Sequence, residues 1–229
     1  MRYILFCLSL FTLACSQTSS SSIDGSSTSA DMLTLRKTVR ASADAFASVT
    51  RAEDLRVPQE FLAKAECIAV LPGMVKAAFI AGANHGYGVA SCRVGSAWSD
   101  PAFIALTGGS FGLQIGAEQS DVVLLMMDEK SKRALLSNQM TLGVDVGIAA
   151  GPVGEKVKGK TNVDLSGILA YAISKGAFAG LSLEGAVLRP DDTSNQVYYG
   201  KNLTAEKILL RSASRYTTPE AEQFIKQLS

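Results

Sequence analysis

Residues 98–154 read WSDPAFIALTGGSFGLQIGAEQSDVVLLMMDEKSKRALLSNQMTLGVDVGIAAGPVG. Most of these residues are small or apolar, and glycines recur at 108, 109, 112, 116, 143, 147, 151 and 154. The run VVLLMM at 122–127, closed by Asp128, has the length and composition of a buried strand. Glycine weakens a strand unless backbones approach closely, the sheet bends, or a ligand lies against the main chain. So many glycines in strand-like sequence imply a curved, closely packed sheet.

On the N-terminal side, residues 31–52 carry Met32, Leu35, Val39, Ala43, Phe46 and Val49 at helical spacing, with Asp31 placed to cap the start. Arg36, Lys37 and Arg40 cluster on one side of this amphipathic helix. A solvated basic face is one account; a helix lying on anionic lipid is the sharper one. A short helix opened by Pro58 follows. Strands are expected over 67–71, stopped by Pro72, and over 76–83 and 86–94, with Asn84-His85 as their hairpin turn. Further strands are expected over 111–117, 121–127, 140–150, 168–174, 177–188 and 196–199, and a short helix over 128–136. Helices over 204–211 and over 218–228, with Pro219 in its first turn, close the chain. Helices flank the strands and do not alternate with them. That pattern predicts an α+β fold with a mainly antiparallel, curved or closed glycine-rich sheet.

The chain has 229 residues, 47% of them hydrophobic, enough for a single folded domain over 31–229. Its net charge is +1, so nothing in the composition points to nucleic acid. Residues 1–14 resemble an export signal: Arg2 is the positive start, and 3–13 form an apolar stretch too short to span a bilayer. The end, Leu13-Ala14-Cys15, resembles the lipobox of bacterial lipoproteins, with Cys15 the acylated residue. The match departs from that pattern at Thr12 and Leu13; a plain secretory signal is the alternative. The following stretch, SQTSSSSIDGSSTSA at 16–30, has little to bury, so 15–30 reads as a Ser-rich tether. These features point to an exported protein held at an envelope membrane, facing the periplasm or the cell exterior. Cys67 and Cys92 remain, and an exported pair can form a disulfide or stay as two buried thiols.

Two motifs raise enzymatic readings. Gly154-Glu155-Lys156-Val157-Lys158-Gly159-Lys160-Thr161 fits the phosphate-loop pattern letter for letter. A true phosphate loop follows a buried strand directly and opens a helix, whereas Gly151-Pro152-Val153 intervenes here and the segment after Thr161 is β-like. A lysine-rich loop is the plainer reading; Lys156, Lys158 and Lys160, alternating along an extended segment, would present three ammonium groups to phosphorylated head groups. Gly108-Gly109-Ser110-Phe111-Gly112 fits G-x-S-x-G, the nucleophile elbow of hydrolases. The single histidine, His85, lies upstream of Ser110, against the usual order in that class, and reads as a turn residue. No second histidine or cysteine pair is placed to hold a metal with it. Trp98 and Tyr198-Tyr199 are aromatic residues of a core or its rim. Neither motif identifies a catalytic residue, and no cofactor or metal is expected.

The ordered blocks Ile68-Ala-Val-Leu-Pro72, Gly86-Tyr-Gly-Val89 with Arg93, and Trp98-Ser-Asp-Pro-Ala-Phe-Ile104 resemble the SYLF domain family. So do Gly109-Ser-Phe-Gly-Leu-Gln-Ile-Gly-Ala-Glu118, Gly151-Pro-Val-Gly154, Tyr171 through Lys175-Gly-Ala-Phe-Ala-Gly180, and Tyr198-Tyr-Gly200. The resemblance covers residues 32–210. It implies a non-catalytic lipid-binding module: eukaryotic members bind phosphoinositides and some act on actin at membranes, and bacterial members look exported or lipid-anchored. Membrane contact in the family is associated with an N-terminal amphipathic helix, which corresponds here to residues 32–51, with Arg36, Lys37 and Arg40 as head-group contacts. The actin role is not expected to accompany a lipoprotein leader. The expectation is a membrane-anchored module for anionic or phosphoinositide-like phospholipid. The alternatives are an envelope scaffold that binds protein and not lipid and, further off, a phosphate-loop nucleotide enzyme.

Overall fold

The computed structural model describes residues 25–53, 57–79, 81–111, 116–152, 166–174, 177–178, 183–200, 203–211 and 218–229. Helix α1 (Gly25–Arg51) begins six residues before Asp31, so Asp31 lies inside the helix and is not its cap. The expected stripe is the buried one: Val39, Ala43, Phe46 and Val49 are in the core, and Met32 and Leu35 pack against it. Helix α2 (Gln59–Lys64) starts after Pro58.

Strands β1 (Cys67–Phe79) and β2 (Ala81–Val94) form a long antiparallel pair with Phe79 opposite Ala81. The strands therefore run antiparallel through to the Phe79–Ala81 pair, and the reversal is not at Asn84-His85. The turn reading fails because Asn84 and His85 are paired on both sides, Asn84 to Lys76 and Gly108, His85 to Val75 and Thr107. Pro72 does not stop β1 either. The register shifts between Leu71 and Met74, and this bulge takes up a residue that cannot donate to the ladder. Gly73 supplies the positive φ of 57° that the bulge requires, and its N–H donates to Asp121 Oδ1 at 2.8 Å.

After the short β3 (Ala97–Trp98), β4 (Ala102–Phe111) is a strand the sequence pattern missed; its Gly108-Gly109 pair masked it. Strand β5 (Gly116–Met126) takes up the apolar run as far as Met126; of the strand expected over 111–117, Phe111 ends β4, 116–117 begin β5, and 112–115 lie outside the described residues. Helix α3 (Glu129–Leu136) is closed at its start by a capping box of Asp128 and Ser131. The strand expected over 140–150 is two short pieces, β6 (Met140–Thr141) and β7 (Ile148–Ala150). Between them lies a turn in which Thr141 N–H donates to Asp145 Oδ2 at 2.6 Å. Strand β8 (Ile168–Ser174) has the expected bounds. The expected 177–188 strand is β9 (Ala177–Phe178) and β10 (Val187–Pro190). Residues 196–199 are helical, within α4 (Asp192–Tyr199), because Asp191 caps that helix by accepting from Ser194 N–H. Helices α5 (Ala205–Leu209) and α6 (Pro219–Leu228) follow, the latter capped by Thr218.

The strands form one sheet in the order β6-β10-β4-β2-β1-β5-β8-β7, with β3 beside β2 and β9 beside β8. Among the described strands, β7 and β8 pair in parallel and the other pairings are antiparallel. The fold is α+β, with the sheet strongly curled into a half-barrel. Close packing explains part of its glycine content. A Cβ on Gly151 would lie 2.1 Å from the ring of Tyr171, which is fully buried and donates its hydroxyl to Pro152 O. Helix α1 lies across β1, β2 and β5, and α6 packs along α1. A disulfide joins Cys67 and Cys92, which face each other across β1 and β2.

Candidate functional site

Helix α1 covers only part of the sheet face beneath it. Beside the β1 bulge, the uncovered part and the flank of α1 enclose an open cleft of about 640 Å³. Its helix wall includes Lys37, Asp44 and Ser48, and its sheet wall Val75, His85, Tyr87 and Gln119. Pairing alternation explains the sheet wall. Val75 lies directly opposite both His85 on β2 and Gln119 on β5, so these side chains share one face. Tyr87 is two residues from His85 on the same face, and the two rings meet edge to face with centroids 4.6 Å apart. Val75 is 45% exposed and Tyr87 54%. Both offer apolar surface to the cleft at about the size of a small-ligand site. Asp121 also lines it, but its Oδ1 is engaged by Gly73 N–H.

The three cations expected to form one lipid-facing group are divided. Lys37 lines the cleft. Arg40 lies farther round α1, where its Nη2 donates to Glu220 Oε1 of α6 at 3.3 Å. Arg36, one turn before Arg40, also acts electrostatically on Glu220. The Glu220 carboxyl is held below the usual carboxylate range. Its own backbone N–H at the start of α6 contributes most, helped by Thr218, Arg36 and Arg40, while burial pushes the other way. Along α1, Asp44 lies seven residues beyond Lys37, about 10 Å, so the cationic end of the cleft is toward the start of the helix.

Cys15 and the lysines Lys156, Lys158 and Lys160 lie outside the described residues, as does the whole 154–161 motif. Ser110 lies inside the continuous strand β4 and not at a strand-to-helix elbow. His85 pairs with Thr107, which places Ser110 about 10 Å farther along the strand. Among the described residues no group of three or more His, Cys, Asp or Glu is arranged to hold a metal. Trp98, Tyr198 and Tyr199, expected in the core or at its rim, are buried internal supports. Trp98 Nε1–H donates to Leu228 O at 3.0 Å while Arg93 stacks on its ring. Tyr199 donates to Pro101 O at 2.6 Å, and burial pushes its hydroxyl pKa upward. The sequence reading missed Val75, Tyr87 and Gln119 as lining residues. The available signal was Tyr87 itself, a large side chain between two glycines, obscured by the misplaced turn.

A family model described as "Ysc84: Las17-binding protein actin regulator" matches residues 107–229, more than half of the chain. Over 168 residues the chain is 35% identical to SH3 domain-containing YSC84-like protein 1 of Xenopus laevis, covering 72% of this chain and 50% of that protein. Over 161 residues it is 32% identical to Protein YSC84 of Saccharomyces cerevisiae, covering 68% and 34%. It is likewise 32% identical over 161 residues to LAS seventeen-binding protein 3 of the same species, covering 68% and 35%. The chain thus spans half or less of the length of these relatives.

Proposed function

The chain belongs to the Ysc84 (SYLF) family, and from that premise we propose that it is a non-catalytic module that binds anionic phospholipid, held at a bacterial envelope membrane through Cys15. The supporting observation is the cleft whose helix wall carries Lys37 and whose sheet wall carries the exposed side chains of Val75 and Tyr87. A cation beside uncovered apolar surface suits an amphiphile: the ammonium meets the phosphate, and the valine and tyrosine take the glycerol and upper acyl carbons. The anchor fits this use. Nine residues separate Cys15 from Gly25, the start of α1, and a chain of that length reaches at most about 35 Å. The cationic end of the cleft therefore stays within reach of the membrane that holds the protein. Among the described residues no helix is long and apolar enough to cross a membrane.

The test is co-sedimentation of residues 16–229, which contain every described element, with phosphatidylcholine vesicles with and without phosphatidylglycerol. The expected result is salt-sensitive binding to the anionic vesicles. Each basic residue near an anionic surface contributes about 1 kcal/mol, so Lys37→Glu, a change of two charges, should weaken binding about thirtyfold. Tyr87→Ser should weaken it without changing the salt dependence. Absence of binding to either vesicle refutes the proposal. One observation favours a second reading: a relative is named as LAS seventeen-binding protein 3, that is, by a protein partner. A protein-binding envelope scaffold would leave vesicles untouched while Cys15 alone held the chain at the membrane.

A further inference from the structure

We propose that Glu220 is an intramolecular competitor for the anionic head group, occupying the arginines of α1 that an approaching phosphate would use. This inference rests on the phospholipid reading above. Arg36 and Arg40 stand one turn apart on α1, and the ion pair at 3.3 Å joins Arg40 to a residue 180 positions away in sequence. The two partners are unequally placed. The Arg40 side chain is 62% exposed and open to a ligand, whereas that of Glu220 is 9% exposed.

Glu220 is also fixed. It lies in the first turn of α6, after the Thr218 cap and Pro219, on a helix packed along α1. Its second oxygen, Oε2, is buried and has no hydrogen-bond partner among the described residues. The backbone N–H at the start of α6 and Thr218 keep the carboxyl ionised beside the arginines. The contact to Arg40 is through one nitrogen, not the two-bond fork that would occupy the guanidinium. Arg40 therefore keeps donors free for a phosphate but carries a permanent counter-charge beside them. A phosphate seated on Arg40 would stand about 6 Å from the Glu220 carboxylate, and in water that repulsion weakens binding about threefold. Lys37 lies on the cleft side of α1, where the acidic residues lining the cleft are Asp44 and Asp121, whereas Glu220 pairs with Arg40.

The experiment measures vesicle affinity of the 16–229 chain for phosphatidylcholine vesicles containing phosphatidylglycerol. Wild type, Glu220→Gln, Arg40→Gln, the double variant and Lys37→Glu are compared. The expected result is about threefold tighter binding for Glu220→Gln, weaker binding for Arg40→Gln, and a smaller gain from Glu220→Gln when Arg40 is already replaced. If Glu220→Gln is unstable by circular dichroism, Glu220→Asp withdraws the carboxylate by one methylene and should give a smaller gain in the same direction. Glu220→Gln binding no tighter than wild type, while Lys37→Glu still weakens binding, overturns the competition and leaves the phospholipid reading standing. No vesicle binding by any of the proteins overturns both.

Discussion

Reduction of the Cys67–Cys92 disulfide tests the central hairpin directly. The bridge spans 25 residues, and for a loop of that size the chain-entropy relation gives about 3.5 kcal/mol of stabilisation through restriction of the unfolded chain. Both sulfurs sit in a fully buried setting. Replacing the cysteines by alanine would therefore add a cavity cost to the entropic one. Comparing the oxidised and reduced wild-type protein avoids that confusion, because the same atoms remain in the core. Residues 16–229 retain only these two cysteines, so thiol titration reports the bridge without ambiguity. Urea unfolding should be followed by far-ultraviolet circular dichroism and by the emission of Trp98, the single tryptophan, which pairs with Arg93 next to Cys92. With a slope of about 2–3 kcal/mol/M, reduction should lower the midpoint by about 1–2 M. Two free thiols in the unreduced native protein would refute the bridge. A midpoint shift below about 0.3 M after verified reduction would show that the unfolded hairpin is already restricted and that the loop argument fails.

Two further outcomes follow from packing and burial. Gly151→Ala places a methyl group into the buried Tyr171 ring, so it should cost about 3 kcal/mol or more in urea unfolding. Replacing Tyr171 by leucine in the same chain should recover part of that loss, and a Gly151→Ala midpoint equal to wild type would contradict the packing. Burial raises the Asp100 carboxyl above its ordinary value of 3.8, so folding favours its protonated form, and that contribution is lost as pH rises through the raised value. Asp100→Asn should therefore be more stable than wild type at pH 7, with the difference closing as pH falls toward and below 3.8; a difference independent of pH would rule this out.

Local signals in the sequence were sufficient where local physics decides the structure. The stripe from Met32 to Val49 marks α1, Thr218-Pro219 marks the start of α6, and the apolar residues of β8 give its bounds. They failed where pairing with distant segments overrides local preference. Asn84-His85 has turn chemistry, yet β1 and β4 hold it in mid-strand. Pro72 has the chemistry of a strand end, yet a bulge secured by Asp121 carries β1 past it. Tyr198-Tyr199 has strand propensity, yet the Asp191 cap makes it helical. The candidate site follows the same division. Spacing along α1 correctly groups Arg36, Lys37 and Arg40 on neighbouring turns. Their separation into a cleft lysine and arginines facing Glu220 depends on α6, far away in sequence.

The blocks that carry the family resemblance mostly have a packing explanation. Trp98 supports the end of α6, Ser99 Oγ accepts from Cys92 N–H, Tyr199 holds Pro101, and Gly151 makes room for Tyr171. Residues with such roles transmit a fold and say little about a ligand. Tyr87 is the exception among the described residues of those blocks. Its ring meets His85 at the edge but is more than half exposed, and no described packing contact requires an aromatic side chain there. A ring left uncovered at the mouth of a cleft, with Lys37 on the opposite wall, gains its burial only when something occupies the cleft. That is why Tyr87→Ser separates binding from folding: it removes little from the core, so any loss of vesicle affinity is a property of the cleft and not of a damaged scaffold.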